Sequence, residues 1–403
     1  MPARPVYVFD DGLANLAPLT DLRAAFDVRT GVFTTLERIT RAGELEPIGL
    51  FVPDALAAVT RERHKLSVNV VPERTPAIVA INGRWAIPRE AALAALREPN
   101  TALIDEPSGR ILAASLRTEQ LPALMHGDTS AFKLVKSEPV PKGGLIERPW
   151  HVRSIRDKAI EFDLSMLIGG APGRVIPPIA SVAATAKVHA SAVLDHELGH
   201  IHIADGAMIR PGAILIGPCA IGPNSTVLDR AVIRPNTVIG PYCKAAGEVS
   251  GVIFQGYSNK AHDGFLGDSW LGEWVNLGAG TTNSNLLNTY GEVITVATPG
   301  GSYERTGEQF LGAMIGDHVK TAICTRIMTG AVIHLGAMIA QTAAVTGCVE
   351  PFGWCTDEGI KKYRPGKFIE VVKAAMSRRG VVPSEAYLAR IGGLAAAGMP
   401  LQG

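Results

Sequence analysis

Apolar residues recur at every sixth position through the middle of the chain. Seven aliphatic residues keep this register without a miss: Ile203, Ile209, Leu215, Ile221, Val227, Ile233 and Ile239. Small and turn-forming residues separate them, as in Ile233-Arg-Pro-Asn-Thr-Val, so each hexad fits a short strand followed by a tight turn. Three such hexads make one triangular coil. The period predicts a left-handed parallel β-helix whose hydrogen bonds run between coils.

The same period marks the ends of the array. Val182, Val188 and Leu194 place the first coil ahead of a histidine run. The register slips after residue 240 and then recovers in two later segments: Leu266, Leu271 and Leu277, followed by Ile315, Ile327, Ile333, Ile339 and Val345. Residues Leu286 to Gln309 lack the period, and we expect them to form a loop excursion.

The first 110 or so residues alternate between strand-like and helix-like segments. Val6–Phe9, Gly49–Val52 and Ala77–Ile81 predict strands, and Leu36–Ala42 predicts a helix. This alternation predicts a parallel, Rossmann-like sheet. The fold class is therefore an α/β domain followed by a β-helix.

The remaining patterns divide the chain into four regions. A segment rich in Pro, Lys and Gly, Lys136 to Pro149, reads as a boundary, and Trp150 to Leu167 has helical apolar spacing. Lys367–Arg379 and Ser384–Ala397 predict amphipathic helices that cap the open end of the β-helix. We expect an α/β domain over residues 1–148, a helical linker over 149–178, the β-helix over 179–355 and carboxy-terminal helices over 356–403.

Composition narrows the functional classes. The 39 Lys+Arg balance 38 Asp+Glu, and only 19% of residues are charged, which excludes an electrostatic binder of nucleic acid or of membrane surfaces. No apolar run reaches the roughly 18 residues of a membrane span, and Met1-Pro2-Ala3-Arg4 lacks the apolar core of a signal peptide. We expect a cytoplasmic protein without membrane contact.

Cysteine and histidine usage indicates no metal or disulfide framework. Five cysteines, an odd number without a C-x-x-C pair, favour free thiols. The run His196, His200 and His202 has two histidines at i, i+4 spacing but no downstream ligand at zinc spacing. A zinc site there is disfavoured.

Two segments concentrate the residues that can carry chemistry. They are Ser258-Asn-Lys-Ala-His262-Asp-Gly-Phe-Leu-Gly-Asp268 and Asn276-Leu-Gly-Ala-Gly-Thr281-Thr-Asn-Ser-Asn285. They resemble the acetyltransferase domain of the bifunctional UDP-N-acetylglucosamine pyrophosphorylase / glucosamine-1-phosphate N-acetyltransferases. The spacings of that family are matched at His262, Asp268, Asn276, Ala279, Gly280 and Asn285.

Acetyl transfer from a thioester to an amine needs a base, because a protonated amine has no lone pair with which to attack. The resemblance implies that His262 is this base and that Asn285 either polarises the thioester carbonyl or orients the imidazole. The alternatives are a solvated turn histidine and an asparagine that closes a turn.

The resemblance also implies substrate-binding residues around this pair. Arg234 and Lys260 are the candidate ligands of the sugar phosphate, Asn276 contacts the sugar or pantetheine, and Ala279 and Gly280 contact acyl-CoA. For Lys260 the alternative is a solvated surface lysine. Phe265 stands where the family usually has a tyrosine, so any hydroxyl contact made there is lost.

The amino-terminal segment resembles a divergent bacterial branch of the same family, whose domain is like that of sugar nucleotidyltransferases. The resemblance rests on three stretches: Phe9-Asp-Asp-Gly-Leu-Ala-Asn-Leu-Ala-Pro-Leu-Thr20-Asp-Leu-Arg23, Asp27-Val-Arg29-Thr-Gly31 and Thr34-Thr-Leu-Glu37-Arg38. It continues at Ala80-Ile-Asn82-Gly-Arg84 and Glu147-Arg-Pro-Trp150. The usual glycine-rich phosphate loop is missing.

Nucleotidyl transfer needs phosphate ligands and a divalent metal. Arg23 and Arg29 are the candidate phosphate ligands, with helix-surface charges as the alternative. Asp105 is the candidate Mg²⁺ ligand, with a loop-capping carboxylate as the alternative.

The resemblance therefore implies a homotrimeric enzyme that uses acetyl-CoA to N-acetylate an amino-sugar 1-phosphate of the glucosamine 1-phosphate type. It further implies that the product is coupled to a nucleoside triphosphate with Mg²⁺, which forms a nucleotide sugar such as UDP-N-acetylglucosamine. Two alternatives stay open: a nucleotidyltransferase with a structural or regulatory β-helix, and a non-catalytic trimeric scaffold. Neither the sugar nor the nucleotide is specified.

Overall fold

The alternating amino-terminal pattern produces a seven-stranded sheet with helices beside it. The computed structural model describes residues 3–71, 77–88, 90–96, 98–135, 144–169 and 177–397. The strands of this sheet are β1 Arg4–Phe9, β2 Leu45–Phe51, β3 Ser67–Val68, β4 Ile78–Asn82, β5 Thr101–Asp105, β6 Arg110–Leu116 and β7 Lys133–Val135. The helices are α1 Thr35–Ala42, α2 Asp54–Arg63, α3 Glu90–Leu93 and α4 Leu121–Met125.

The sheet is mixed, which corrects the expectation of a parallel one. Its strand order is β3-β2-β1-β4-β6-β5-β7. The strands β1 to β4 are parallel, but β6 runs antiparallel to both β4 and β5. The reversal arises because β5 and β6 are joined by a short turn at residues 106–109, where no crossover helix fits. The parallel half retains the buried central strand β1.

Local capping fixes where the predicted helix of this domain begins and ends. The Thr34 hydroxyl accepts from the amide of Glu37, and the Glu37 carboxylate accepts from the amide of Thr34, which forms a capping box ahead of α1. Gly43 ends the helix at φ 70°, a conformation that glycine adopts without strain.

The hexad region folds as a left-handed parallel β-helix with three faces. Strands three apart in sequence pair in parallel, so that Ile203 faces Ile221 and Ile221 faces Ile239, a coil of 18 residues. The periodic aliphatic residues fill the interior, where most of them are fully buried. Burial of this aliphatic column is what stabilises stacked coils that have no helical or hairpin connections.

The prism has three faces, of which the first is one sheet and the second and third are two sheets each. The first contains β8 Ala180–Val182, β11 Ile201–Ile203, β14 Cys219–Ile221, β17 Thr237–Ile239, β20 Ile253–Gly256, β23 Trp270–Glu273, β27 Met314–Ile315, β30 Val332–Ile333 and β32 Cys348–Val349. The second contains β9 Lys187–Val188, β12 Met208–Ile209, β15 Thr226–Val227, β18 Lys244–Ala245 and β21 Asn259–Lys260, then β28 Lys320–Thr321, β31 Met338–Ile339, β33 Gly353–Thr356 and β34 Gly359–Lys362. The third contains β10 Val193–Asp195, β13 Ile214–Ile216, β16 Val232–Ile233, β19 Glu248–Ser250 and β22 Phe265–Gly267, then β24 Thr282–Asn283 and β29 Arg326–Ile327.

The predicted slip in register has a structural cause. Val238 pairs with Ile253 and Ile253 with Trp270, so these two coils have 15 and 17 residues. Trp270 then pairs with Met314 across the predicted excursion. Within it β25 Ile294–Thr295 and β26 Glu304–Arg305 form an antiparallel pair.

Three helices accompany the β-helix. They are α5 His151–Leu167, α6 Pro365–Ser377 and α7 Glu385–Ala397. The last two were expected to cap the open end, and this is wrong. Phe368 of α6 packs on Phe352 and His318, and Arg379 donates to Asn259 Oδ1 at 2.6 Å. Because Asn259 lies several coils before Phe352, α6 runs along the side of the prism.

Contacts divide the chain into two units. One comprises Met1–Leu16, Leu22–Val28 and Phe33–Arg148, and the other Ala17–Asp21, Arg29–Val32 and Pro149–Gly403. Two short amino-terminal pieces thus belong with the β-helix unit, where Trp270 Nε1 donates to the carbonyl of Arg29. Residues 136–143 of the predicted boundary segment and residues 170–176 of the predicted linker lie outside the described residues.

Candidate active site

The turn that carries His262 connects β21 to β22 and is packed closely between neighbouring coils. A Cβ on Gly247 would lie 2.7 Å from the Gly264 carbonyl oxygen, and one on Gly264 would lie 2.3 Å from that of Thr281. Both glycines have positive φ, at 69° and 105°, so only glycine allows the coils to approach this far. His262 itself is exposed, and its imidazole makes no hydrogen bond with the described residues.

Lys260 lies directly before this turn and points into the prism. Its side chain is 2% exposed, and Nζ donates to the carbonyls of Ala246, His262 and Asp263. Burial lowers the pKa of Lys260 to about 8, although the Asp263 carboxylate acts to raise it. The ammonium predicted to meet a sugar phosphate is bound to the protein backbone, and the surface-lysine alternative is wrong.

The carboxylate of Asp268, at the corner of the prism after β22, holds the side-chain amide of Asn285. Asp268 Oδ2 accepts from Asn285 Nδ2 at 2.8 Å, while Oδ1 meets Arg156 Nη1 at 2.8 Å and Arg153 Nε at 3.0 Å. An ionised carboxylate only accepts hydrogen bonds, so it fixes which end of the Asn285 amide faces it. One N–H of Asn285 is therefore committed, and its second N–H and its oxygen have no other partner among the described residues.

Gly267 makes room for two of the predicted site residues. A Cβ there would lie 2.5 Å from the Phe265 ring and 2.9 Å from Asn285 Nδ2. The amide of buried Asn283 also pairs with the Gly267 backbone, since Gly267 N donates to Oδ1 at 2.7 Å and Nδ2 donates to the Gly267 carbonyl at 3.0 Å. The absent side chain thus lets Phe265 and Asn285 lie at one corner.

The predicted acyl-CoA residues lie beside the His262 turn. A Cβ on Gly264 would be 3.4 Å from the carbonyl carbon of Gly280, in the next coil. Gly280 has φ 70°, and the Ala279 carbonyl accepts from Cys324 N at 2.6 Å. The structure therefore brings Ala279 and Gly280 to the same edge of the prism as His262.

The two other predicted substrate residues occupy different faces. Arg234 forms a half-exposed ion pair with Glu248, whose register partner is Phe265, so it lies on the Phe265 face. Asn276 is exposed and bridges Asn259 and Lys320 on the face before the turn. Both side chains remain open to solvent on the sides flanking His262.

A second polar cluster lies in the amino-terminal domain, at the carboxyl ends of β1 and β4. Arg84 Nη2 binds Asp11 Oδ2 at 2.7 Å, and its Nη1 binds Glu147 at 3.3 Å. Asn82 Nδ2 donates to the Ile111 carbonyl at 2.9 Å. Ligands of open α/β sheets bind outside the carboxyl ends of parallel strands. This cluster is thus the candidate site of the domain.

The chain is similar to known proteins over parts of its length. Residues 6–171 match the family model described as "Sugar nucleotidyl transferase". The bifunctional sugar-1-phosphate nucleotidylyltransferase/acetyltransferase of Sulfurisphaera tokodaii is 34% identical over 201 residues, which are 50% of this chain and 45% of that protein. The bifunctional protein GlmU of a Cyanothece species is 32% identical over 130 residues, 27% of this chain and 28% of that protein. Over these stretches the chain is similar to GlmU-type bifunctional proteins.

The extent of these similarities is limited. The chain spans less than half the length of the two relatives named above. Among solved structures, the UDP-N-acetylglucosamine acyltransferase of Francisella novicida shares 18% identity, with 50% of this chain and 75% of that structure covered and a TM-score of 0.23. A similarity of that size supports no functional conclusion.

The predicted phosphate ligands of the amino-terminal segment are buried. Arg23 is 1% exposed and Arg29 is 7% exposed, so neither is the helix-surface charge of the alternative. The Arg29 guanidinium donates to the carbonyls of Gln255 and Val32. Arg29 thereby attaches its short segment to the β-helix.

The predicted metal ligand does not fit a Mg²⁺ site. Asp105 Oδ2 accepts from the amide of Ser108 at 3.3 Å and from its hydroxyl at 2.6 Å, which is the loop-capping arrangement. In the parts of the chain that the structure describes, no group of three or more His, Cys, Asp and Glu side chains is arranged to hold a metal ion. In the histidine run, His200 and His202 both bind Ser181 Oγ.

Several residues that organise the site were missed by sequence reasoning. Arg153 and Arg156 stand on α5, more than a hundred positions from Asp268, and no sequence pattern pairs them with it. Asp268 and Arg84 belong to motifs that match the family, and this match was the sequence signal by which they could have been found. None of the helices in the described ranges combines the length and apolar character that a bilayer crossing needs.

Proposed function

We propose that the β-helix unit transfers an acetyl group from acetyl-CoA to the amine of an amino-sugar 1-phosphate. The observation that carries the proposal is the corner at which an exposed His262, on a turn packed between coils, lies beside the turn of Ala279 and Gly280. The name of the Sulfurisphaera relative, which includes an acetyltransferase, supports the same chemistry.

In this mechanism His262 takes a proton from the attacking amine as the nitrogen bonds to the thioester carbon. The C–S bond then breaks, and the leaving CoA thiolate takes up the proton from the imidazolium, so that atoms and charge balance. The free N–H of Asn285 donates to the carbonyl oxygen as it gains negative charge, and Asp268 holds that amide in place. Arg234 offers positive charge to the sugar phosphate from the adjoining face.

The test is thiol release from acetyl-CoA in the presence of glucosamine 1-phosphate. His262→Ala should lower kcat by about 10²- to 10⁴-fold, the usual contribution of a general base. His189→Ala is the matched control, because His189 is an exposed histidine in a turn of the first coil. Equal activity of the two variants would contradict the role of His262, and no release by the wild type would contradict the proposed reaction.

A second candidate function belongs to the amino-terminal domain. The match to the sugar nucleotidyl transferase model and the Arg84–Asp11–Glu147 cluster favour nucleotidyl transfer to the acetylated sugar phosphate. Asp105 holds no Mg²⁺ in this proposal, because its carboxylate caps the turn at Ser108. Release of pyrophosphate from a nucleoside triphosphate in the same mixture separates this activity from acetyl transfer.

Assembly and location remain part of the proposal. We propose a homotrimer whose prisms pack side by side, with the exposed His262 edge at or near their boundary. We propose small-molecule substrates and no nucleic-acid partner, because the positive and negative charges of the chain are balanced. Location in the cytoplasm follows from the substrates proposed.

A further inference from the structure

Lys260 occupies a position inside the prism that aliphatic residues fill in the earlier coils. Parallel pairing places Val188, Ile209, Val227 and Ala245 in register one after another, and Lys260 follows Ala245 directly. Lys260 is 2% exposed. A charged amine in such a column is costly unless polar groups surround it. The hexad pattern does not require a charged residue at this interior position.

All of the hydrogen-bonding capacity of this amine is used by one turn and the coil next to it. Nζ lies 3.1 Å from the carbonyl oxygen of Ala246, 2.9 Å from that of His262 and 3.0 Å from that of Asp263. A lysine ammonium has three N–H donors, so each carbonyl receives one. Two of the three carbonyls belong to the turn that presents His262.

These bonds tie the turn to the coil beneath it. The Ala246 carbonyl belongs to the preceding coil, so the ammonium joins two coils at the point where Gly247 and Gly264 approach most closely. Without the donor, all three carbonyls would lose this hydrogen bond, and the turn would have to rearrange to reach water. A displacement of about 1 Å at a catalytic group is enough to lower a rate by roughly 10²-fold.

We propose that Lys260 is a positioning residue that fixes the His262 turn from inside the prism and does not contact the sugar phosphate. The inference rests on the proposed acetyl transfer, for which the position of His262 matters. It assigns to Lys260 a part distinct from that of a phosphate ligand such as Arg234.

The experiment compares Lys260→Met with Lys320→Met in the thiol-release assay. Lys320 is the control: it is a half-buried lysine of the same β-helix, and its Nζ donates to the Trp274 carbonyl at 3.2 Å, which is not part of the His262 turn. We expect Lys260→Met to lower kcat by about 10- to 100-fold while KM for each substrate changes less than about threefold. Lys320→Met should leave kcat within about threefold of the wild type.

Two outcomes would overturn the inference. A large rise in KM for the amino-sugar phosphate with unchanged kcat would make Lys260 a substrate ligand, and equal kcat in both variants would make its bonds irrelevant to the turn. If Lys260→Met does not fold, Lys260→Gln replaces it. Gln has two N–H donors on a shorter side chain and cannot satisfy all three carbonyls, so kcat has to fall without a matching change in KM.

Amide hydrogen exchange separates this inference from the proposed function. The amides of Ala246 and Glu248 donate to the carbonyls of Lys260 and Gly264 on either side of the turn. Their exchange should be faster in Lys260→Met than in Lys320→Met, whether or not the protein turns over acetyl-CoA. Unchanged exchange refutes the positioning role, whereas faster exchange in a protein without thiol release refutes only the proposed reaction.

Discussion

Asp268→Asn removes one negative charge at the Asn285 corner with almost no change in volume. The carboxylate lies between two guanidinium groups, 2.8 Å from Arg156 Nη1 and 3.0 Å from Arg153 Nε. The side chains of Asp268 and Arg156 are 13% and 5% exposed, so water screens this pair little. The substitution leaves the Arg156 guanidinium buried without its main counter-ion.

The expected cost follows from that loss. Removing one partner of a buried ion pair destabilises a protein by about 3–5 kcal/mol. Arg156 keeps hydrogen bonds to the Gly251 carbonyl and to Asp157, so we expect the lower end, about 3 kcal/mol. For a unit of roughly 250 residues, each kcal/mol shifts Tm by about 2–4 °C. Asp268→Asn should therefore lower the Tm of the β-helix unit by about 6–12 °C.

Thermal unfolding followed by circular dichroism measures this shift. Asp229→Asn is the control, because Asp229 pairs with Arg210 at 3.5 Å with side chains 49% and 45% exposed, and such surface pairs contribute about 0–1 kcal/mol. If the two variants melt within about 2 °C of each other, the Asp268 carboxylate does not hold this corner together, and the argument for its control of Asn285 fails.

Two further predictions concern packing and pH. Gly312→Ala would place a Cβ 1.9 Å from the Gly267 carbonyl oxygen. The substitution should lower the denaturant midpoint by the equivalent of about 3 kcal/mol, or prevent folding. The control is Gly366→Ala in α6, where nothing lies within 4 Å of the added Cβ; it should be neutral or slightly stabilising. Burial lowers the pKa of His334, whose Nε2 meets the Ala297 carbonyl at 2.9 Å, to about 4. Because its folded pKa lies below the unfolded value of about 6.5, stability is complete above pH 6.5 and falls towards pH 4, with about 2 kcal/mol lost by pH 5. His334→Gln should flatten that part of the stability curve against pH, and parallel curves for the two proteins would contradict the assignment.

Much of the β-helix was predictable because its pattern is local. Each hexad specifies one strand and one turn, so Ile203, Ile221 and Ile239 indicate coils without any knowledge of distant residues. The shorter coils that pair Val238 with Ile253 were visible as a slip but could not be aligned, because a turn that loses a residue leaves no periodic signal. The reversal of β6 was missed for a related reason: strand direction depends on the connection, and the strand pattern is the same in both directions.

The candidate site was only partly predictable. The family resemblance singled out His262, Ala279, Gly280 and Asn285, and residues one coil apart in a β-helix lie side by side. Spacing could not show that the Asn285 amide is held by Asp268, nor that Asp268 is in turn held by α5. Those contacts join segments that no local pattern connects.

The sequence by itself determined the repeating architecture, the positions of the tight turns and the residue types available for chemistry, because these depend on side chains within a few positions of each other. Tertiary structure decided which charged side chains keep hydrogen-bond donors available for a substrate. Lys260 and Arg29 were both candidates for binding phosphate, yet backbone carbonyls take up their donors. A buried charge binds whichever acceptor packing brings to it, and only the folded chain determines whether that acceptor is a distant carbonyl or a substrate.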